Sequence, residues 1–157
     1  MLAASLPALQ AAERESTFQP FAIGDVFVAA TVMDDPNDDH AGTGRLLQFD
    51  ADLKPKGVLW IEQTTHKIGA LAIGPDGVLW GFSPISWQIV EVAPSGELLP
   101  MRSFGNRAFH SVQFGADGSL YFGEHLVGNQ RKIPYNTTEF TYRPGSEDIG
   151  EGHVFRY

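Results

Sequence analysis

The stretch Gly74-Pro75-Asp76-Gly77-Val78-Leu79-Trp80 decides the fold, because a close copy of it, Gly115-Ala116-Asp117-Gly118-Ser119-Leu120-Tyr121, follows 41 residues later. Each copy joins an Asp-Gly turn to an apolar run, which is the pattern of a β-hairpin. A hairpin that recurs with a period of about 40 residues is typical of the blades of a β-propeller. The sequence therefore predicts an all-β fold built from such blades.

The sequence around the two copies extends the pattern to three blades, each predicted to be a four-stranded antiparallel meander. In the first blade, Phe18, Phe21 and Ile23 are predicted to supply the innermost strand, followed by a short turn at Ile23-Gly24-Asp25. In the second blade, Pro100 favours an outer edge position for its strand, because proline cannot donate to a central ladder. The predicted segments are a leader or frayed region at 1–15 and blades at about 16–63, 64–105 and 106–157.

Three blades do not close a ring, since propellers usually have about 4–8 blades. The third blade ends at His153-Val154-Phe155-Arg156-Tyr157, which is predicted as its third strand, and a fourth strand is missing. An uncovered blade face would expose a large apolar patch. We therefore expect an incomplete ring that is completed by further blades of a longer chain or by self-association.

Composition excludes several classes of partner. The formal net charge is −8 and the isoelectric point is about 4.9, which argues against nucleic acid, because that partner requires a clustered basic face. No apolar run reaches the roughly 18 residues of a membrane span. No Lys or Arg precedes Arg14, so a charged signal-peptide start is not evident. The chain has no cysteine, and the compartment stays open.

Two long connections, at residues 32–43 and 125–150, are predicted to carry the function. In a four-stranded meander, the loop between strands two and three emerges at the same end as the passage to the next blade. His66 and His110 lie at such passages in the predicted register. Because function often resides in loops held by a rigid frame, this end is the candidate functional face.

The first of these loops is acidic and offers candidate ligands for Ca²⁺. Oxygen ligands at alternating positions suit this ion, although the spacing does not match a 12-residue EF-hand loop. A solvated acidic turn held by Asx hydrogen bonds is the alternative interpretation. The polar residues of the loop are Asp34, Asp35, Asn37, Asp38, Asp39 and His40.

His110 and Glu124 form the candidate catalytic pair. His110 lies near the start of a predicted innermost strand and Glu124 closes the following strand, so the hairpin between them brings both to one end. A histidine near a carboxylate-bound metal can act as a general base. The alternative is a histidine tied into backbone hydrogen bonds beside a solvated glutamate. His66 and His125 flank the same face and are interpreted as structural or exposed.

The segment from His110 to Glu124 resembles the repeat of streptogramin B lyase-type propellers. In that family a His, an Asp-Gly turn, an aromatic strand and a Glu recur at this spacing. The segment is similar, more loosely, to SMP-30/gluconolactonase and NHL-repeat propellers. The resemblance implies a seven-bladed ring in which His110 is the base and Glu124 a Mg²⁺ ligand. The family's second acidic ligand would fall at Ala108, and its substrate-side histidine near Gly69.

Two functions therefore remain open at this point. The first is a propeller that binds an unknown small molecule or protein through a loop-built recognition face at the channel mouth. The second is a metal-assisted lyase or hydrolase, using Mg²⁺ or Ca²⁺, with His110 as base and Glu124 as metal ligand. The incomplete set of matching ligands favours the binding function.

Overall fold

The computed structural model describes residues 14–62, 64, 68–83, 88–102, 109–124, 132–135, 138–141 and 154–156. In this part of the chain all regular structure is β-strand, which confirms the all-β prediction, and no helix able to cross a membrane occurs in it. The strands are β1 (Val26–Asp35), β2 (Asp38–Phe49), β3 (Pro55–Ile61), β4 (Leu71–Ile73), β5 (Leu79–Ser83), β6 (Gln88–Val92), β7 (Phe109–Phe114), β8 (Leu120–Glu124), β9 (Lys132–Tyr135), β10 (Thr138–Thr141) and β11 (Val154–Arg156).

The strands form three antiparallel sheets that follow one another along the chain. The first sheet is β1–β2–β3, the second is β4–β5–β6, and the third is β7–β8–β11. Strands β9 and β10 pair separately as a hairpin, inside the connection that was predicted as the loop 125–150. Within the described residues each of these three sheets has three strands. The structure therefore shows the antiparallel sheets of the prediction but not the four strands predicted for each blade.

The two matching Asp-Gly sequences fold into the same turn, as predicted. Gly77 N–H donates to the Gly74 carbonyl at 2.9 Å, and the corresponding bond from Gly118 to Gly115 is also 2.9 Å. Gly77 and Gly118 have φ of 82° and 80°, a left-handed conformation that glycine adopts without a steric penalty. Hydrogen bonds from Ser119 hold the pKa of the Asp117 carboxyl below its ordinary value.

The amino-terminal segment differs from its prediction as an innermost strand. Residues 14–20 form no strand and lie along the outer edge of β3, where Thr17 N–H donates to the Val58 carbonyl at 2.7 Å. The glycine at position 57 permits this approach, because a Cβ there would lie 2.6 Å from the Thr17 carbonyl oxygen. The segment thereby covers an edge of the sheet that would otherwise be unpaired. The predicted turn at Ile23–Gly24 is present.

The outer strand predicted for the second sheet is present only in part. Ile89 bridges to Arg102 and Val92 bridges to Leu98, as isolated antiparallel pairs along the edge of β6. Pro100 lies between these two bridges and has no N–H to donate, which explains why a continuous ladder does not form. Residues 103–108, the remainder of the predicted strand and its connection, lie outside the described residues.

The sheets pack face to face around two apolar clusters. One cluster lies between the first and second sheets and includes Leu46, Ile61, Leu79 and Val90. The other lies between the second and third sheets and is more aromatic, with Phe82, Phe109 and Phe122 at its centre. Each fully buried side chain of this kind stabilises the fold by about 1.5–3 kcal/mol. The second sheet therefore packs against the first sheet on one face and against the third sheet on the other.

Candidate functional site

The strand ends opposite the Asp-Gly turns form the candidate site, here called the distal end and marked by Thr43, Thr64, Gly69, Ser83 and His110. Gly44 N–H donates to the Thr64 hydroxyl at 3.0 Å, which ties β2 to the segment after β3. Ala70 N–H donates to the His110 carbonyl at 2.9 Å, which joins the second and third sheets at the same level. The Asp-Gly turns lie together at the other end, since a Cβ on Gly118 would be 3.8 Å from Pro75 Cγ.

The predicted acidic loop 32–43 is mostly a β-hairpin rather than a loop. Strand β1 continues to Asp35 and β2 begins at Asp38, so that only Pro36 and Asn37 form the turn. The pairs Val32↔Thr43 and Met33↔Gly42 extend the ladder well into the predicted loop. β-branched residues such as Val32 and Thr43 favour strands, whereas the residues at the tip favour a turn.

This hairpin sets the surroundings of the acidic side chains that are candidate metal ligands. Asp34 lies at an irregularity of the ladder, between the pairs Met33↔Gly42 and Asp35↔Asp38. Asp35 accepts a hydrogen bond from Asn37 N–H at 2.8 Å, as in the predicted Asx turn. Asp38 pairs with Asp35 across the ladder. The side chains of Asp39 and His40 lie outside the described part of the structure.

Asp34 belongs to a cluster centred on Arg14. The Arg14 guanidinium donates to the Thr43 hydroxyl at 2.5 Å and lies 3.7 Å from Asp34 and 3.6 Å from Glu62. It also lies 5.1 Å from the centre of the Trp60 ring, a cation–π geometry. One side chain from the amino-terminal segment thus contacts all three strands of the first sheet at the distal end.

Sequence reasoning missed this cluster, because it assigned residues 1–15 to a leader or frayed segment. The signal that points to it is the register of β2 and β3, which pairs Arg45 with Trp60. Arg45 lies 5.3 Å from the same indole centre, and its buried Nε has no hydrogen-bond partner among the described residues. Two guanidinium groups and one indole therefore meet on a single face of the first sheet.

His110 occupies a β-bulge at the start of the third sheet. Phe109 pairs with Glu124 and Ser111 with Gly123, so His110 is the extra residue between them. A bulge re-aims the side chain at its position and is frequent near functional sites. His110 is half-buried, and the register brings its backbone next to that of Glu124 at the distal end.

The remaining members of the predicted constellation lie outside the described residues. This applies to the Glu124 side chain and to His66 and His125 in full. Among the residues that the structure describes, no group of three His, Asp or Glu side chains has the arrangement of a metal site. The metal and catalytic assignments consequently stay predictions.

A second polar cluster lies at the end with the Asp-Gly turns and anchors the amino-terminal segment. The Asp25 carboxylate accepts hydrogen bonds from Lys56 Nζ at 2.6 Å and from Gln48 Nε2 at 2.9 Å. The bond from Lys56 is the main reason why the pKa of Asp25 lies below its ordinary value. The buried Gln48 side chain also bonds the backbone of Gln19. Every one of these groups has a partner, which identifies the cluster as structural.

No family model matches the chain, and no curated protein sequence matches it. Among solved structures, the chain is similar to a luciferin-regenerating enzyme, with 15% sequence identity and a TM-score of 0.40. The match covers 90% of this chain and 59% of the enzyme, so the chain spans less than two thirds of that protein. A likeness at this level assigns neither a family nor an activity.

Proposed function

We propose that the protein is a binding protein of the β-propeller type, and that the distal end is its recognition surface for a small molecule or a protein. The observation that carries this proposal is the projecting β1–β2 hairpin. The last pair between β2 and β3 is Gly44↔Ile61, whereas β1 and β2 stay paired as far as Asp35↔Asp38. The hairpin therefore extends roughly 10–15 Å beyond the rest of its sheet, at about 3.4 Å per residue.

The contacts of this hairpin favour recognition over chemistry. Asp34 lies in the Arg14 cluster and Asp35 accepts a hydrogen bond within the turn, so both carboxylates have structural partners. Arg14 also lies 3.6 Å from Glu62, so that one guanidinium links the hairpin to the residue just after β3. A projection with polar residues at its tip, whose carboxylates already have partners, suits a surface that binds without reacting.

The propeller assignment is supported by the order and packing of the sheets. The antiparallel sheets stack face to face in the order of the chain, and their tight turns lie at one end. This arrangement agrees with blades around an axis. The two apolar clusters between the sheets fit this arrangement. We propose that two segments take the place of a fourth strand: the amino-terminal segment beside β3 in the first sheet, and residues 98–102 beside β6 in the second.

The recognition surface can be tested by nuclear magnetic resonance with the full chain labelled with ¹⁵N. The probe is a fragment library of small carboxylates, sugars and amides, and the readout is which backbone signals shift. We expect the shifts to concentrate at Thr43, Gly44 and His110. A variant in which residues 34–39 are replaced by Asn-Gly should lose them, whereas Lys54→Ala, an exposed change at the other end, should keep them.

Shifts that concentrate at the Asp-Gly turns, or a complete absence of binding fragments, would contradict the proposed surface. Because the shortened hairpin also lacks the end of β1 and the start of β2, a general loss of folding must be excluded for that variant separately. Retained melting temperature in each variant completes this control.

A metal-assisted lyase or hydrolase is the second candidate, and the bulge at His110 favours it. The register that pairs Phe109 with Glu124 brings the backbones of the proposed base and metal ligand together. Under this candidate, calorimetry should detect Mg²⁺ or Ca²⁺ binding that Glu124→Gln abolishes and that Glu97→Gln, at the other end, leaves unchanged. Equal behaviour of both variants would favour the binding protein.

A further inference from the structure

One side of the first sheet is apolar and only partly covered over the half nearer the Asp-Gly turns, whereas Arg45 and Trp60 lie on the half nearer the distal end. We call the apolar half the outer face and define it by Val26, Val28, Leu47, Phe49 and Val58. The register places these five side chains on one side, through the pairs Val26↔Phe49, Val28↔Leu47 and Leu47↔Val58. Val26 and Val28 are 39% and 41% exposed. The opposite face of the same sheet packs against the second sheet.

The corresponding face is fully covered in the second sheet. There Leu79 pairs with Val92 as Val26 pairs with Phe49, and Gly81 pairs with Val90 as Val28 pairs with Leu47. Leu79, Val90 and Val92 are at most 2% exposed, because the first sheet packs on them. The position therefore has a defined cover in this fold, namely the face of the preceding sheet.

The third sheet repeats this arrangement. Leu120 and Phe122 of β8 occupy the positions that Leu79 and Gly81 hold in β5. They are 4% and 7% exposed and pack on the second sheet. The same face is thus buried against a neighbouring sheet in both places where the chain provides one. The outer face of the first sheet is the third instance of this surface and has no sheet on it among the described residues.

The complementary surface is the far face of the third sheet. Tyr121 pairs with Gln113 and Arg156, and these side chains lie on the side away from the second sheet. In the second sheet the position of Tyr121 is held by Trp80, which packs toward the third sheet. Val154 shares this far face and is 71% exposed.

We propose that the outer face of the first sheet docks onto the far face of the third sheet of a second copy of this chain. These two faces, on which no described sheet packs, are the two halves of a contact that the chain already makes twice, and each copy carries one of each. Tyr121 and Val154 of one copy would bury Val26 and Val28 of the other. Arg45 and Trp60 continue the same side of the sheet toward the distal end. None of the five residues of the outer face belongs to the distal end, so the inference does not depend on the proposed function.

The contact is head to tail rather than symmetric, so each of its two faces can be altered separately. The association of the variants can then be measured by analytical ultracentrifugation. Val28→Lys removes one half of the contact and Tyr121→Lys removes the other half. We expect each variant alone to associate about 100-fold more weakly than the parent, because an ammonium group without a partner would replace the contact of Val28 with Tyr121 and Val154. A mixture of the two should restore a one-to-one pair through the two faces that remain intact.

Salt provides an independent readout, since copies with a net charge of −8 repel each other. Raising the ionic strength screens this repulsion and should strengthen the association. Leu53→Lys makes the same chemical change at an exposed turn outside both faces and should leave the association unchanged.

Several results would overturn the proposal. A parent chain that stays monomeric at all concentrations would do so, and removal of residues 1–13 would then show whether that segment covers the outer face instead. Association that survives Val28→Lys would assign the contact to another surface. A mixture that stays monomeric while the parent associates would exclude the head-to-tail arrangement.

Discussion

The two Asp-Gly turns allow backbone conformation and side-chain crowding to be separated by a pair of matched substitutions. Gly77 and Gly118 have nearly the same positive φ, of 82° and 80°. Their surroundings differ. A Cβ on Gly118 would lie 3.8 Å from Pro75 Cγ, an ordinary contact, whereas a Cβ on Gly77 would lie 3.2 Å from Pro94 Cγ. Alanine therefore imposes the conformational cost at both sites and a steric cost at one.

The expected magnitudes follow from these distances. Placing a residue with a Cβ in the left-handed region costs about 1–2 kcal/mol. Alanine also restricts the unfolded chain, which offsets about 0.4–1 kcal/mol of that cost. We expect Gly118→Ala to lower the free energy of unfolding by about 1 kcal/mol. Gly77→Ala should lower it by about 1.5–2 kcal/mol, since the proline ring must move by a few tenths of an ångström.

Urea unfolding followed by tryptophan fluorescence measures both values, provided that the slope of the transition is unchanged. Gly118→Asn is the control for conformation, because asparagine tolerates the left-handed region and should lose less than alanine. Equal stability of Gly118→Ala and the parent would refute the conformational reasoning. A loss at Gly77 no greater than that at Gly118 would refute the steric reasoning.

Two further predictions concern the core and the polar cluster near the amino terminus. Leu79→Ala, at a buried site between the first two sheets, should cost about 3 kcal/mol in urea unfolding, whereas Ile73→Ala, at a side chain 52% exposed, should cost less than about 1 kcal/mol. The hydrogen bond from Lys56 lowers the pKa of Asp25 in the folded state. The stability that this interaction contributes is therefore present above the unfolded pKa of 3.8 and is lost as the pH falls through the lower folded value. Thermal unfolding from pH 7 to pH 2 should therefore show a steeper acid decline in the parent than in Asp25→Asn, and parallel curves would contradict this.

Local signals in the sequence predicted the parts of the fold that depend on local chemistry. Asp76-Gly77 and Asp117-Gly118 specify a turn, because the aspartate accepts a backbone bond two residues later and the glycine adopts a positive φ. The apolar runs after these turns specify the strands β5 and β8. These properties belong to a few consecutive residues, which explains why they could be inferred without the structure.

The amino-terminal segment could not be inferred in this way, since its position depends on distant residues. Apolar Phe18 and Phe21 suggested a strand, and the two rings do pack into the cluster between the first and second sheets. The backbone of this segment, however, pairs with β3 because that strand has a free edge and because Gly57 leaves room for the chain. No pattern within residues 14–20 reveals which of the two sheet edges is free.

The acidic hairpin shows a different limit, because the same residues suit two structures. A run of Asp and Asn around Pro36 indicates a loop with oxygen ligands when it is considered alone. Residues Thr31 to Met33 and Gly42 to Gly44 then pair across it and reduce the loop to its tip. The ladder is also irregular between Met33 and Asp35, so the composition of the run alone could not show how its carboxylates are arranged.

The distal end combines these local and long-range effects. The bulge at His110 arises because two residues of β7 face one residue of β8, and Gly69 of the preceding sheet leaves space for it, since a Cβ there would lie 2.8 Å from the His110 carbonyl oxygen. An alanine at position 69 would therefore press on the backbone of the bulge and not on a side chain. The backbone of His110 is thus in contact with β8 on one side and with Gly69 and Ala70 on the other, so the bulge depends on both neighbouring segments.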